Sequence, residues 1–127
     1  MRMVAVLFIL LVTTPAWSQE DTTRAKRLSS PAVARGVIGG ESHDTYVIKA
    51  KKGRLMTVHL SWKREADNHA DVTISTEANF FNAQQVDFGQ WDSAQKRWTG
   101  KIPKTQDYYL YVVGHPTVHY TLKVKVK

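Results

Sequence analysis

The sequence predicts an all-β protein, an antiparallel β-sandwich of about seven or eight short strands. Three observations predict this fold class. Apolar and polar side chains alternate with a period of two in several stretches, which is typical of half-buried strands. Glycines, prolines and short polar runs separate these stretches. Outside the first residues, no stretch shows the periodicity of an amphipathic helix.

Residues 44–62 carry the clearest pattern and organise the rest of the chain. Two alternating segments are separated by Lys51-Lys52-Gly53, a polar linker ending in the residue that best tolerates positive φ. We therefore predict a hairpin of two adjacent strands. The predicted core-facing residues of these strands are Tyr46, Ile48, Ala50, Met56, Val58, Leu60 and Trp62.

The remaining strands are predicted from the same alternation. They cover residues 36–38, 72–76, 98–102, 107–113 and 118–126. Residues 63–69 form a charged loop. Residues 77–95 have no clear period, although Phe80-Phe81 and residues 86–88 are compatible with short strands. This irregular segment also contains Trp91, and its aromatic side chains are candidates for a binding surface.

The first eighteen residues have the order of a secretory signal peptide. Arg2 supplies a positive start, an apolar run covers residues 4–12, and small residues precede a cleavage site between Ser18 and Gln19. The apolar run is too short for a transmembrane helix, which needs about 20 residues. We therefore expect a periplasmic or secreted protein: a signal peptide at 1–18, a flexible leader at 19–34 and one domain at 35–127.

Composition limits the possible functions. The chain has no cysteine, so packing alone must hold the domain together. The net charge of +7 favours anionic partners, such as cell-wall polymers or an acidic protein cleft. Nucleic acid is not expected, because no recognition motif for it is present. The same lysines and arginines can instead serve only solubility and the protection of sheet edges.

No pattern predicts catalysis, a metal or a cofactor. His115 and His119 are four residues apart, but Pro116 and the following strand exclude the helical face that makes this spacing useful. The run Ser42-His43-Asp44 contains the residue types of a catalytic triad, without the separation in sequence that a triad needs. Calcium ligands are conceivable in residues 67–71, where basic neighbours weaken the case.

Two groups of residues resemble the bacterial pre-peptidase C-terminal domain. The first is Gly36-x-Ile38-x-Gly40-x-x-x-Asp44-Thr45-Tyr46, followed by Ala50-Lys51-Lys52-Gly53. The second is Ile102-Pro103, Asp107-Tyr108-x-Leu110-x-Val112 and Tyr120-x-Leu122-x-Val124. Within that superfamily, which has a jelly-roll-like sandwich, the chain is most similar to the small periplasmic inhibitors of goose-type (g-type) lysozyme.

The resemblance implies a protein-binding module whose loops occlude the groove of a lysozyme. The chain departs from those inhibitors in two loops, where it has Glu41 and the short His115-Pro116-Thr117-Val118. The expected partner-binding residues are Glu41, His43, Lys63, Arg64, His115 and His119. The alternative is an envelope-associated module that binds carbohydrate or anionic peptidoglycan without inhibiting an enzyme. Monomer and homodimer both remain open.

Overall fold

The computed structural model describes residues 24–127, which form two β-sheets packed face to face. The predicted signal peptide lies outside these residues, as does the start of the predicted leader. The strands in this range are β1 (Lys26–Leu28), β2 (Ala32–Gly39), β3 (Asp44–Ala50), β4 (Leu55–Trp62), β5 (His69–Ser75), β6 (Gln90–Asp92), β7 (Arg97–Lys101), β8 (Gln106–His115) and β9 (Thr117–Val126). One turn of 3-10 helix covers Phe80–Asn82. Within this range, no helix is long and apolar enough to cross a membrane.

The strand order confirms the β-sandwich predicted from the sequence. The first sheet has the order β1-β3-β8-β5, and the second has the order β2-β9-β4-β7-β6. Neighbouring strands are antiparallel except for β1 and β3, which are parallel. The domain is therefore built mainly from pairings between distant parts of the chain.

The predicted hairpin at residues 44–62 is wrong. Both strands exist, but β3 pairs with β1 and β8 in the first sheet, whereas β4 pairs with β9 and β7 in the second. Residues 51–54 thus cross from one sheet to the other. Gly53 has a φ of +89°, and its amide donates to the carbonyl of Ile102 over 2.7 Å. Alternation identifies a core-facing side but cannot tell a strand beside its neighbour from one across the core.

Residues 26–34 also differ from the prediction of a flexible leader. β1 pairs with β3, and β2 pairs with β9 from Ala32 onwards. Arg27 donates two hydrogen bonds of 3.0 Å to the Asp107 carboxylate, and this contact lowers the pKa of Asp107. The Ser30 hydroxyl accepts from the Val126 amide over 2.7 Å. Main-chain pairing orders this segment, although few of its side chains are large and apolar.

The core lies between the inner faces of the two sheets. It contains the tyrosines predicted to fill the sandwich, Tyr46, Tyr108 and Tyr120, with at most 2% of each exposed. Of the two tryptophans assigned to the core, Trp98 is buried and Trp62 is only partly buried. The other large core residues are Ile38, Ile48, Met56, Val58, Leu60, Ile74, Ile102, Leu110, Val112, Val118, Leu122 and Val124.

Part of the outer face of the first sheet is buried, which simple alternation does not predict. Thr45, Val47 and Tyr111 point away from the sandwich core, yet only 3%, 5% and 1% of them are exposed. Residues 77–83 approach this face, and Tyr111 donates a 2.5 Å hydrogen bond to the carbonyl of Glu77. The segment holds a 3-10 turn at Phe80–Asn82 where a strand was considered possible, and residues 86–88 also form no strand.

Candidate functional site

Three connections meet at one end of the sandwich, which we call the loop end. It consists of the turn at residues 40–43, the loop at 63–68 and the turn at 115–117. β2, β4 and β8 end here, and β3, β5 and β9 begin here. The Gly40 amide donates to the Pro116 carbonyl over 3.2 Å, and the Lys63 amide donates to the His119 carbonyl over 3.1 Å. Main-chain hydrogen bonds therefore join the turn at 40–43 to the turn at 115–117, and the loop at 63–68 to β9.

The structure brings five of the six expected partner-binding residues to the loop end. Glu41, Lys63, Arg64 and His115 are exposed there, and His43 is partly buried. His119 lies further along β9, opposite Val37 of β2. Lys63 Nζ is 3.0 Å from Glu65 Oε1, and this pairing lowers the pKa of Glu65. Among residues 24–127 no carboxylate forms an ion pair with Arg64, which makes it the clearest exposed cation of the loop end.

An aromatic patch adjoins the loop end and comprises His43, Phe80, Phe81 and Tyr111. The rings of His43 and Phe80 stack with centroids 3.8 Å apart, and Tyr111 meets Phe80 edge-on at 5.5 Å. Phe81 packs against Phe80 at 5.5 Å and remains 50% exposed. The sequence marked Phe80-Phe81 as a candidate binding surface. The link to His43 was missed, because sequence gives no sign that two segments so far apart pack together.

Two tryptophans, Trp91 and Trp62, lie outside the aromatic patch. Trp91 lies on edge strand β6 opposite Trp98 and is 42% exposed. Trp62 lies at the end of β4, where Lys96 Nζ sits 3.7 Å from the centre of its ring and His69 meets it edge-on at 5.3 Å. The ammonium group of Lys96 is attracted to the face of the Trp62 ring, and this attraction stabilises the contact.

The loop at 63–68 is held by Asn68. Its side chain accepts from the Glu65 amide over 3.1 Å and donates to the carbonyls of Lys63 and Thr117 over 2.9 and 3.2 Å. Asp67 and Asp71 were the other side chains considered for calcium; Asp67 is exposed, and Asp71 pairs with His69 over 3.1 Å. Within residues 24–127, no group of three or more histidines or carboxylates is placed to hold a metal ion. Asn68 is therefore a structural residue that shapes the loop end.

A buried hydrogen-bond network lies beneath the loop end and connects the two sheets. Tyr120 of β9 donates to Asp44 of β3, and its oxygen lies 2.5 Å from the hydroxyl of Tyr46. Burial is the main cause that raises the pKa of both tyrosines, so each stays protonated in the folded protein. A Cβ atom at Gly36 would lie 2.6 Å from the Tyr120 hydroxyl and 2.8 Å from Asp44. Gly36, Asp44, Tyr46 and Tyr120 thus form one cluster. This contact accounts for the glycine, aspartate and tyrosines at these positions of the sequence.

Similar folds occur among solved structures. PliG from Aeromonas hydrophila, a periplasmic lysozyme inhibitor of g-type lysozyme, has a TM-score of 0.64 at 17% identity, over 81% of this chain and 96% of that one. PliG from Salmonella Typhimurium, also a periplasmic inhibitor of g-type lysozyme, has a TM-score of 0.55 at 20% identity, over 82% and 99%.

The pre-peptidase C-terminal domain of collagenase from Bacillus anthracis has a TM-score of 0.60 at 21% identity, over 84% of this chain and 100% of that one. The sequence matches no protein-family profile and no curated protein. The chain therefore has the fold that these periplasmic lysozyme inhibitors and the collagenase domain share.

Proposed function

We propose that this protein is a periplasmic inhibitor of a g-type lysozyme, which it blocks by inserting the loop end into the substrate groove. The observation that carries the proposal is the loop end itself, where three connections present exposed charged groups beside the aromatic patch. Fold similarity to two inhibitors of g-type lysozyme supports the same function. An inhibitor of this kind is not an enzyme and needs no catalytic residue.

Arg64 and Phe81 are the groups best suited to the enzyme's groove. Glycoside hydrolases carry carboxyl groups where the sugar bond is cleaved. A guanidinium can donate two parallel hydrogen bonds to such a carboxylate, and Arg64 forms no ion pair within residues 24–127 that would compete. Phe81 is half exposed on a stacked support, so it can fill a sugar subsite with little loss of side-chain freedom. Lys63 is less suited, since it already pairs with Glu65.

The shape of the loop end also favours occlusion over loose association. Asn68 bonds within its own loop to Lys63 and across to Thr117 of the turn at 115–117, and a main-chain hydrogen bond joins that turn to the turn at 40–43. Groups held in place before binding lose less entropy when a complex forms. Glu41 and His115 lie at the rim, where they would set register and specificity through contacts that remain partly solvated.

The direct test is inhibition of cell-wall lysis by purified residues 19–127, with g-type and chicken-type lysozymes measured in parallel. Inhibition of the g-type enzyme at near-equimolar protein, with the chicken-type enzyme unaffected, is the expected result. Absence of inhibition at large molar excess would overturn the proposal.

Two matched charge reversals then test the contact surface. Arg64→Glu places an acid opposite the enzyme's carboxylate and should weaken inhibition about 100-fold or more, as loss of a central interface arginine commonly does. Arg54→Glu makes the same change on the connection at the other end of the sandwich and should leave inhibition unchanged. Equal loss in both variants would show that overall charge, and not the loop end, determines binding.

A second candidate function is binding to an anionic cell-wall polymer without inhibition. The excess of cations over acids favours it. Retention on purified peptidoglycan that weakens with added salt, without effect on lysozyme, is the result that would establish this alternative. Size-exclusion chromatography with light scattering would distinguish a monomer from a homodimer under either function.

A further inference from the structure

The outer face of the second sheet has a composition that the loop end does not explain. We call it the cationic face. It is formed by alternate residues of four strands, read across the sheet from the register of β2, β9, β4 and β7. Its residues include Val33 and Arg35 of β2, Lys123 and Lys125 of β9, Lys127 just after β9, Leu55, Thr57 and His59 of β4, and Arg97, Thr99 and Lys101 of β7. Most of its long side chains are exposed.

Positive charge is concentrated on this face. Lys123, His59 and Arg97 are opposite one another in register on three adjacent strands. Burial, followed by Arg97 and Lys123, lowers the pKa of His59, and the neighbouring Lys127 lowers the pKa of Lys125. Among the described strand residues of this face and its edge strand β6, Asp92 is the only acid, and its carboxylate accepts from the amides of Ala94 and Gln95. The face therefore has a large excess of cations.

Aliphatic side chains lie among these cations. Val33 and Leu55 are 55% and 45% exposed, and they border an open groove of about 540 Å³ that is also lined by Lys123, Lys125 and Arg97. The strand residues of the face include no tryptophan, tyrosine or phenylalanine. A groove lined by both aliphatic residues and cations matches a ligand that is both anionic and apolar.

We propose that the cationic face binds the anionic lipid headgroups of a membrane surface. Lysine and arginine are attracted to anionic headgroups, and small aliphatic side chains can enter the boundary between headgroups and acyl chains. A sugar polymer fits less well, because protein surfaces that hold sugars commonly stack them on aromatic rings, and this face has none. Charge complementarity and the exposed aliphatic residues thus favour lipid over glycan.

The position of the face allows it to act together with the loop end. β9 begins at the loop end and Lys123 follows Thr117 by six residues, about 20 Å along a strand. The groove includes Lys123 and extends from it towards Leu55 at the start of β4 and Lys127 just after β9. A molecule attached to a membrane through the groove would keep its loop end accessible to a soluble partner. The lipid proposal nevertheless stands whether or not that partner is a lysozyme.

The test is co-sedimentation with lipid vesicles of protein expressed as residues 1–127 in a secreting host. Vesicles of equal parts phosphatidylglycerol and phosphatidylcholine should bind the protein at low salt, and vesicles of phosphatidylcholine alone should not. The triple variant R97Q/K123Q/K125Q should bind about 100-fold more weakly, since each basic residue near an anionic surface contributes roughly fivefold. The matched variant K26Q/K49Q/K104Q removes the same charge from elsewhere and should bind like the unchanged protein.

Two further measurements separate lipid from glycan. Replacing Val33 and Leu55 with serine should weaken binding to the anionic vesicles several-fold, because the aliphatic side chains leave water on binding. Purified peptidoglycan should not compete with the vesicles. Equal losses in the two triple variants, no effect of the serine replacements, or preference for peptidoglycan over anionic vesicles would each overturn the proposal. Circular dichroism establishes that all variants are folded.

Discussion

The outer faces of the two sheets differ in what covers them. On the first sheet, residues 77–83 contact Tyr111, and Thr45 and Val47 of the same outer face are only 3% and 5% exposed. On the second sheet, Val33 and Val37 at comparable strand positions are 55% and 59% exposed and lie among lysines and arginines. One outer face is thus partly buried, and the other remains an open surface.

This difference teaches that the same alternating pattern can give two kinds of outer face. Val47 of β3 and Val37 of β2 each follow an inward-facing residue, and nothing local distinguishes them. The irregular segment contributes to this difference, since Phe80 stacks on His43 and packs edge-on against Tyr111 on the first face. The surfaces proposed for binding follow the same division. The aromatic patch lies on the side of the first sheet, and the cationic face is the outer face of the second sheet.

The largest expected effect is on the unfolding free energy and tests the core between the two sheets. Gly36→Ala would place a Cβ 2.6 Å from the Tyr120 hydroxyl, so we expect a loss of about 3 kcal/mol in unfolding free energy, the upper range for overpacking. Urea unfolding followed by fluorescence measures the change. Gly40→Ala is the control, because its φ of +64° is strained but its Cβ has nothing within 4 Å; it should cost only about 1 kcal/mol. Equal costs would show that the cluster tolerates the methyl group.

The next effect compares the covered face with the open one directly. Phe80→Ala removes the ring that stacks on His43 and meets Tyr111, and should destabilise the protein by about 2 kcal/mol, less than for a fully buried phenylalanine. Val37→Ala on the open face should change stability by no more than about 0.5 kcal/mol. Thermal unfolding of both variants gives the comparison. A Val37 effect as large as that of Phe80 would mean that the open face is covered in solution.

A smaller effect isolates one hydrogen bond of the cover. Tyr111→Phe removes the donor to the Glu77 carbonyl and should cost about 1 kcal/mol. The control is Tyr109→Phe on the same strand face, since no hydrogen bond of the Tyr109 hydroxyl is found within residues 24–127. Amide hydrogen exchange in residues 77–83 should accelerate in the Tyr111 variant and stay unchanged in the control. Unchanged exchange in both would show that the aromatic contacts alone hold the segment.

The smallest effect concerns pH and the open face. Because the pKa of His59 is lowered in the folded state, the unfolded chain takes up a proton more readily below pH 6.5. The stability of the protein should therefore fall as the pH decreases from about 7 to 5. Replacing His59 with glutamine should flatten the slope of unfolding free energy against pH over this range. An identical slope in the variant would show that other groups determine it.

Much of the sandwich was predictable because burial imposes alternation within each strand. Val118, Tyr120, Leu122 and Val124 were placed correctly in β9, and so was the core-facing side of β4. The pairing of β3 with β8 instead of β4 was not predictable, because it depends on which distant strand completes each sheet. The strand at Lys26–Leu28 was missed because main-chain pairing and the contact between Arg27 and Asp107 leave no apolar signature.

The candidate site was predictable in its members more than in its arrangement. Glu41, Lys63, Arg64 and His115 were chosen from loops, and the topology gathers them at one end. The stacking of His43 on Phe80 depends on the path of an irregular segment with no period to interpret. The cationic face was visible only as a lysine stripe on one strand, since Arg97 and His59 join it through register.

The central position of β9 has a consequence for when the protein can fold during synthesis. β9 lies between β2 and β4, and neither of these strands pairs with the other. On the ribosome, β4 can pair with β7 before β9 is made, whereas β2 has no partner in its sheet until residues 117–126 have emerged. The second sheet is therefore completed only when its last strand has been synthesised, so folding of this sheet should follow translation of residues 24–127.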